Sequence, residues 1–184
     1  MEKNSSSIYL KSVTKLDVEF LFNLLKERDP RANISHNKMP TYDEHVNFVK
    51  SKPYSKWYII FKSEQKVGSI YLSKNNEIGI FLSKKFQGKN IGNFALNELM
   101  KKNPRKRFLA NVNPKNKKSS RFFKNNGFKL IYFLFQLEGK KDKNLRPYDK
   151  REIKFYKKNG YRLLSHVYMF EKNLWNSHKL KIQN

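Results

Sequence analysis

Apolar and polar positions alternate over residues 7–13, SIYLKSV, and the alternation predicts a first strand. Thr14 followed by Asp17 reads as a capped helix start, and VEFLFNLLKER then repeats apolar residues at helical spacing until Asp29-Pro30 stops it. Residues 30–40 are polar with two prolines and predict a loop. Thr41 caps a second helix, YDEHVNFVKSK, with Tyr42, His45, Val46 and Val49 on one face and Pro53 beyond its end. Three apolar runs follow at 57–61, 67–72 and 77–82, separated by polar turns, and predict an antiparallel meander. Residues 91–102 predict a helix with Ile91, Phe94, Ala95, Leu99 and Met100 inward, and RFLANV at 107–112 a strand. NPKNKKSSRFFKNNGF predicts a helix ended by Gly127, and KLIYFLFQLE one long strand or two sharing a bend. The order β-α-α-β-β-β-α-β-α-β predicts an α/β (α+β) chain with helices layered on a mixed sheet.

The 184 residues fit one domain of ordinary size, and 15% aromatic residues add bulk to a core drawn from a modest 38% apolar fraction. The lack of cysteine excludes a disulfide scaffold and thiolate metal sites, and it fits a reducing compartment. MEKNSSSIYL has no apolar run like a signal sequence, and IYFLF at 131–135 is far too short to cross a bilayer, so a cytoplasmic protein without a membrane partner is expected. The formal charge of +25 points to nucleic acid, an anionic surface or an anionic substrate. Its make-up of 32 Lys against 8 Arg, with abundant Asn, Ile, Phe and Tyr, is also what AT-rich coding produces. A dedicated nucleic-acid binder would favour the planar Arg fork, so a nucleic-acid partner is not expected. Four scattered His make no metal-ligand constellation, and no metal is expected.

The informative junction is EIGIFLSKKFQGKNIGN at 77–93, where a strand runs into a loop with two glycines and a helix starts at once. The first helical turn has unpaired N–H groups and the positive end of the dipole. Glycines allow close approach of a phosphate, and Lys84, Lys85 and Lys89 add charge nearby. Strand, glycine turn and helix therefore predict a pyrophosphate cradle, distinct from both the P-loop and the GxGxxG fingerprint.

With this junction the chain resembles the GNAT superfamily of acetyl-CoA-dependent N-acetyltransferases. That family's pattern, Gln/Arg-x-x-Gly-x-Gly/Ala, is filled by Gln87, Gly88, Lys89, Asn90, Ile91 and Gly92, with Asn90 where Gly is usual. Asn tolerates a left-handed backbone better than most residues. A second family segment, Asn-x-x-Ala/Ser-x-x-Leu-Tyr and then Gly-Phe, matches Asn116, Ser119, Phe122, Phe123, Gly127 and Phe128 in register. The resemblance covers residues 8–138. It implies a mostly antiparallel sheet in which two neighbouring parallel strands, here 77–82 and 107–112, splay to admit the pantetheine arm. It implies acetyl-CoA as co-substrate, held by the backbone from Gln87 to Asn93, by Ile80, Phe81 and Leu82, and by Asn116, Ser119 and Phe123 of the second segment. It also implies direct attack by an amine, with Glu77 near the place of the family's usual base. The family's usual proton-donating Tyr falls at Phe123, which has no proton to give. Asn116 reads equally as a helix cap and Glu77 as a solvated turn residue.

Residues 144–171 align without gaps on 111–138 at an offset of 33, pairing Pro114 with Pro147, Asn126 with Asn159, Gly127 with Gly160 and Leu130 with Leu163. The division read from this repeat is an acetyltransferase domain at 1–138 and an extension at 139–184 that copies the last helix-strand unit and extends or covers the sheet edge. Phe123 pairs with Tyr156, which becomes a candidate for the missing acid. The acceptor pocket falls to the first two helices and their loop, where Arg31, His36 and Tyr42 could read sugar hydroxyls or phosphates; His36 and His45 read as surface or helix-face residues. The acceptor expected is a small-molecule amine such as a nucleotide-linked amino sugar. The alternatives are the N-terminus of a ribosomal protein, or a basic nucleic-acid module that kept the fold and lost catalysis. Monomer and homodimer stay open.

Overall fold

The computed structural model describes residues 7–28, 38–137, 144–145, 157–158 and 161–171. Strand β1 (Ile8–Ser12) leads through a 3-10 turn into α1 (Val18–Lys26), and α2 is Tyr42–Lys50. Both starts carry reciprocal capping boxes, Thr14 with Asp17 and Thr41 with Glu44, so each local signal satisfies two backbone donors. The meander is β2 (Lys56–Lys62), β3 (Gln65–Leu72) and β4 (Ile78–Leu82). Next come α3 (Ile91–Lys102), β5 (Arg107–Val112), α4 (Lys117–Asn125), the single long strand β6 (Lys129–Leu137), β7 (Asn144–Leu145) and β8 (Tyr161–Glu171).

Two four-stranded sheets result, ordered β1-β2-β3-β4 and β5-β8-β6-β7, and every ladder within them is antiparallel. Between β4 and β5 the described residues share a single parallel bridge, Glu77 opposite Leu109, with Leu109 N donating to Asn76 O at 2.9 Å. The two strands lie in different sheets, and beyond that bridge no ladder pair joins them.

Strand alternation sorts the first sheet onto two cores. On one face Leu10, Ile60, Ile70, Leu72 and Ile78 pack with Ile91, Ala95, Leu96 and Leu99 of α3 and with Phe108, Ala110, Val112, Phe123, Phe128 and Tyr168. On the other, Ile59 and Phe61 pack with Leu21 of α1 and Val49 of α2, flanked by Tyr9 and Trp57. Phe94, expected inward, is instead 40% exposed, and Leu96 takes the buried place. Tyr42 is likewise exposed, while His45 and Val49 of the same predicted face are buried.

The long strand of the repeated unit does not sit on an edge, although its short β7 does. β8 lies between β5 and β6, pairing Ala110 with Tyr168 on one side and Leu130 with Tyr168 on the other. The sequence division at residue 138 therefore falls inside one sheet, whose interior strand buries Val167 and Tyr168. Where the copy is described its elements follow the original at the same offset: strand at 144–145 as at 111–112, helix at 157–158 as at 124–125, strand over 161–171 as over β6.

Candidate active site

The turn after β4 is built around two left-handed residues. Gly88 has φ 75° and Asn90 φ 61°, so the Asn at the family's glycine position occupies the conformation that Asn tolerates. Open space surrounds the place where a Cβ of Gly88 would stand. At Gly92 a Cβ would lie 3.1 Å from Phe122 of α4, so this glycine lets α3 and α4 pack closely. Asn90 forms no side-chain cap to α3; its Oδ1 accepts from Asn93 Nδ2 at 2.6 Å, and Asn93 Oδ1 accepts from Asn126 Nδ2 at 2.9 Å. The first helical bond is Phe94 N to Asn90 O, and the amides from Gly88 to Asn93 have no acceptor among the described residues. Gln87 differs: its amide donates to Lys84 O at 3.3 Å and its Nε2 to Leu82 O at 2.9 Å, so it braces the turn from within. A row of free amides at the positive end of a twelve-residue helix, with Lys89 exposed beside it, fits a diphosphate.

The turn is also tied to the first helix. Glu27, just past α1, accepts from Ser83 Oγ and Lys84 N, both at 2.9 Å. Nothing in the sequence announces this pairing, because it joins residues 56 and 57 positions apart.

On β4, Ile80 and Leu82 face the α3 core, while Glu77, Gly79 and Phe81 alternate onto the α1/α2 face. Glu77 is half-buried at the bridge to β5, held by Ser73 Oγ accepting from its amide at 3.1 Å and by its carbonyl accepting from Ser73 N at 2.9 Å. Asn116 caps α4, its Oδ1 accepting from Ser119 N at 3.0 Å, a role that can coexist with a contact to the pantetheine arm. Phe123 is buried between Phe122 and Phe128. Tyr42 is exposed at the start of α2, edge-on to Phe22. Arg31, His36 and Tyr156 lie outside the described residues.

Sequence reasoning overlooked an aromatic and polar cluster on the α1/α2 face. Tyr71 of β3 pairs across the ladder with Gly79 of β4, and a Cβ at Gly79 would run into the Cζ, Cε1 and hydroxyl oxygen of Tyr71. The phenol thus lies over the β4 backbone. Tyr54 stacks on it at 3.8 Å and 9°, and Trp57 meets Tyr54 edge-on at 5.0 Å. Burial pushes both phenols above their ordinary 10.0; the Arg28 guanidinium pulls each back, and the Glu77 carboxylate adds to the rise at Tyr71. The available signal was a glycine opposite a large aromatic in predicted neighbouring strands.

Among the described residues no group of three or more His, Cys, Asp or Glu is arranged to hold a metal ion, and no helix is long and apolar enough to cross a membrane. Residues 7–129 match the family model described as Acetyltransferase (GNAT) domain. No curated protein matches the chain. Among solved structures, the chain is similar to the Salmonella typhimurium acetyl transferase that modifies the N-terminal serine of ribosomal protein L7/L12, at 18% identity and TM-score 0.64, covering 92% of this chain and 97% of that one. It is similar to the spermidine/spermine N-acetyltransferase SpeG of Vibrio cholerae, at 15% identity and TM-score 0.63, covering 96% and 99%. It is also similar to the putative acetyltransferase yncA of Salmonella typhimurium, solved with its cofactor acetyl-CoA, at 12% identity and TM-score 0.62, covering 90% and 94%. The match of the family model over more than half its length places this chain in the GNAT acetyltransferase family. It is an acetyltransferase with acetyl-CoA as acyl donor.

Proposed function

We propose that this chain acetylates the primary amine of a small acceptor, a nucleotide-linked amino sugar in the first instance, and that it does so in the cytoplasm. The observation that carries the reading is the row of unpartnered amides from Gly88 to Asn93 beside a strand that carries Glu77 at its start. Acetyl-CoA supplies an activated thioester when bound, and the protein's part is to hold it and to prepare the amine. The amides of the turn and Lys89 hold the diphosphate. The outer edge of Ile80, Phe81 and Leu82, free of a ladder to β5, offers backbone N–H groups to a developing oxyanion. Glu77 accepts the proton of the incoming ammonium, directly or through one water, because only the neutral amine is nucleophilic. Arg31, His36 and Tyr42 belong to the acceptor side. Tyr156 is proposed as proton donor to the departing thiolate, since the buried Phe123 has none to give.

The polar side chains of the acceptor segment favour a sugar over the N-terminus of a ribosomal protein. The Salmonella and Vibrio structures keep a protein N-terminus and a polyamine among the acceptors to test. The net charge of +25 supports a second reading, a basic module that binds nucleic acid on the same fold. Acetyl-CoA should raise the melting temperature, and Gly88→Glu, which places a carboxylate in open space beside the free amides, should abolish the shift. No shift in the wild type together with salt-sensitive RNA binding would establish the second reading instead. Glu77→Gln should lower kcat at least tenfold with the acetyl-CoA shift intact; an unchanged kcat removes it as base. Because truncation before β8 would take out an interior strand, Tyr156→Phe is the informative variant for the acid.

A further inference from the structure

Four groups from four segments bear on the α1/α2 face of β4: Tyr71 of β3 lies across Gly79 with Tyr54 stacked on it, Glu77 stands just before β4 at the bridge to β5, and Arg28 directly follows Glu27, whose carboxylate holds Ser83 and Lys84 just past β4. Their geometry is fixed by packing. Tyr71 lies across Gly79, Tyr54 is stacked on Tyr71, and Trp57 closes the outer edge with its Nε1 donating to Ser69 Oγ at 2.7 Å. The Tyr71 hydroxyl therefore sits above β4, two residues along from Glu77 on the same face, beside the bridge at which β4 and β5 part. Phenylalanine would fill these ring positions equally well. Two half-buried phenols carry hydroxyls that a purely structural stack would not need, at some desolvation cost.

The chemistry of the group is two-ended. Phenol and guanidinium are donors suited to an oxyanion, and a carboxylate attracts an ammonium and takes its proton. We infer that Arg28, Tyr54, Tyr71 and Glu77 form the acceptor subsite, and that it selects a primary amine carrying an oxyanion, phosphate or carboxylate, close to the nitrogen. This rests on the acetyltransferase reading above and narrows its acceptor class.

The test compares glucosamine 1-phosphate, glucosamine and spermidine as acceptors, read by thiol release, with acetyl-CoA binding followed separately by thermal shift. The phosphorylated amine should exceed glucosamine at least tenfold in kcat/KM, and spermidine should be the poorest. Arg28→Gln should collapse the preference for phosphate. Tyr71→Phe, which keeps the ring and its stack, should raise the acceptor KM severalfold. Neither variant should change the acetyl-CoA shift. A preference for glucosamine or spermidine, a phosphate preference that survives Arg28→Gln, or no turnover of the phosphorylated amine by protein that binds acetyl-CoA overturns the subsite. Absence of an acetyl-CoA shift in the wild type overturns the cofactor site itself, and the subsite with it.

Discussion

Three residues in the turn after β4 separate backbone geometry from packing. Gly88 is left-handed in open space, so Gly88→Ala should cost only the strain of a Cβ at positive φ, about 1 kcal/mol. Gly92 has ordinary helical geometry but meets Phe122, so Gly92→Ala must push α4 away and should lower the melting temperature more. Asn90→Gly relieves a left-handed side chain but loses the bond from Asn93, and the two should cancel to within about 1 kcal/mol. Melts with and without acetyl-CoA check all three, and retained cofactor shift in Asn90→Gly is expected. The glycine pattern was legible at this scale because φ preference is a property of one residue. The second role of Gly92 was not, because it depends on where α4 lies.

Between elements, two contacts carry predictions. Glu27 holds the buried Ser83 hydroxyl and the exposed Lys84 amide, so Glu27→Ala strands the Ser83 donor and should cost about 1–3 kcal/mol. Hydrogen exchange should quicken over residues 83–90 in that variant; unchanged exchange would show that the latch does not order the turn after β4. His45 sits buried between α1 and α2 with Nε2 unpartnered among the described residues. Burial holds it below its ordinary 6.5, only partly offset by its hydrogen bond to the Val18 backbone. The unfolded chain gains a proton as pH falls through 6.5 while the folded chain stays neutral. Stability contributed by neutral His45 is therefore complete above 6.5 and declines below it, until the lower folded value is passed. Melting temperatures taken between about pH 8 and about pH 5 should fall less steeply for His45→Phe than for wild type.

At the scale of the whole molecule, β8 is the decisive placement. Deleting residues 161–184 should abolish cooperative melting, since it withdraws the strand joining β5 to β6 along with the burial of Val167 and Tyr168, each worth about 1.5–3 kcal/mol. A cooperative melt in the deletion would mean that β5 and β6 can pair without it. The +25 charge acts on the entire chain rather than through any single pair such as Lys66 with Asp17 or Lys102 with Glu98. Raising ionic strength from low to physiological should therefore stabilise the fold by screening self-repulsion.

Periodicity, caps and glycine positions are local, so the chain alone determined the meander, the bounds of α3 at 91–102 and the cradle after β4. The repeat at an offset of 33 was equally visible, but a repeat states what folds alike and not where the copy goes. Only tertiary structure decided that β8 enters between β5 and β6, that Glu27 grips the turn after β4, and that Tyr71, with Tyr54 stacked on it, lies over Gly79. Strand order and side-chain clusters are set by competition for burial among segments far apart in sequence, and no local pattern encodes the outcome of that competition.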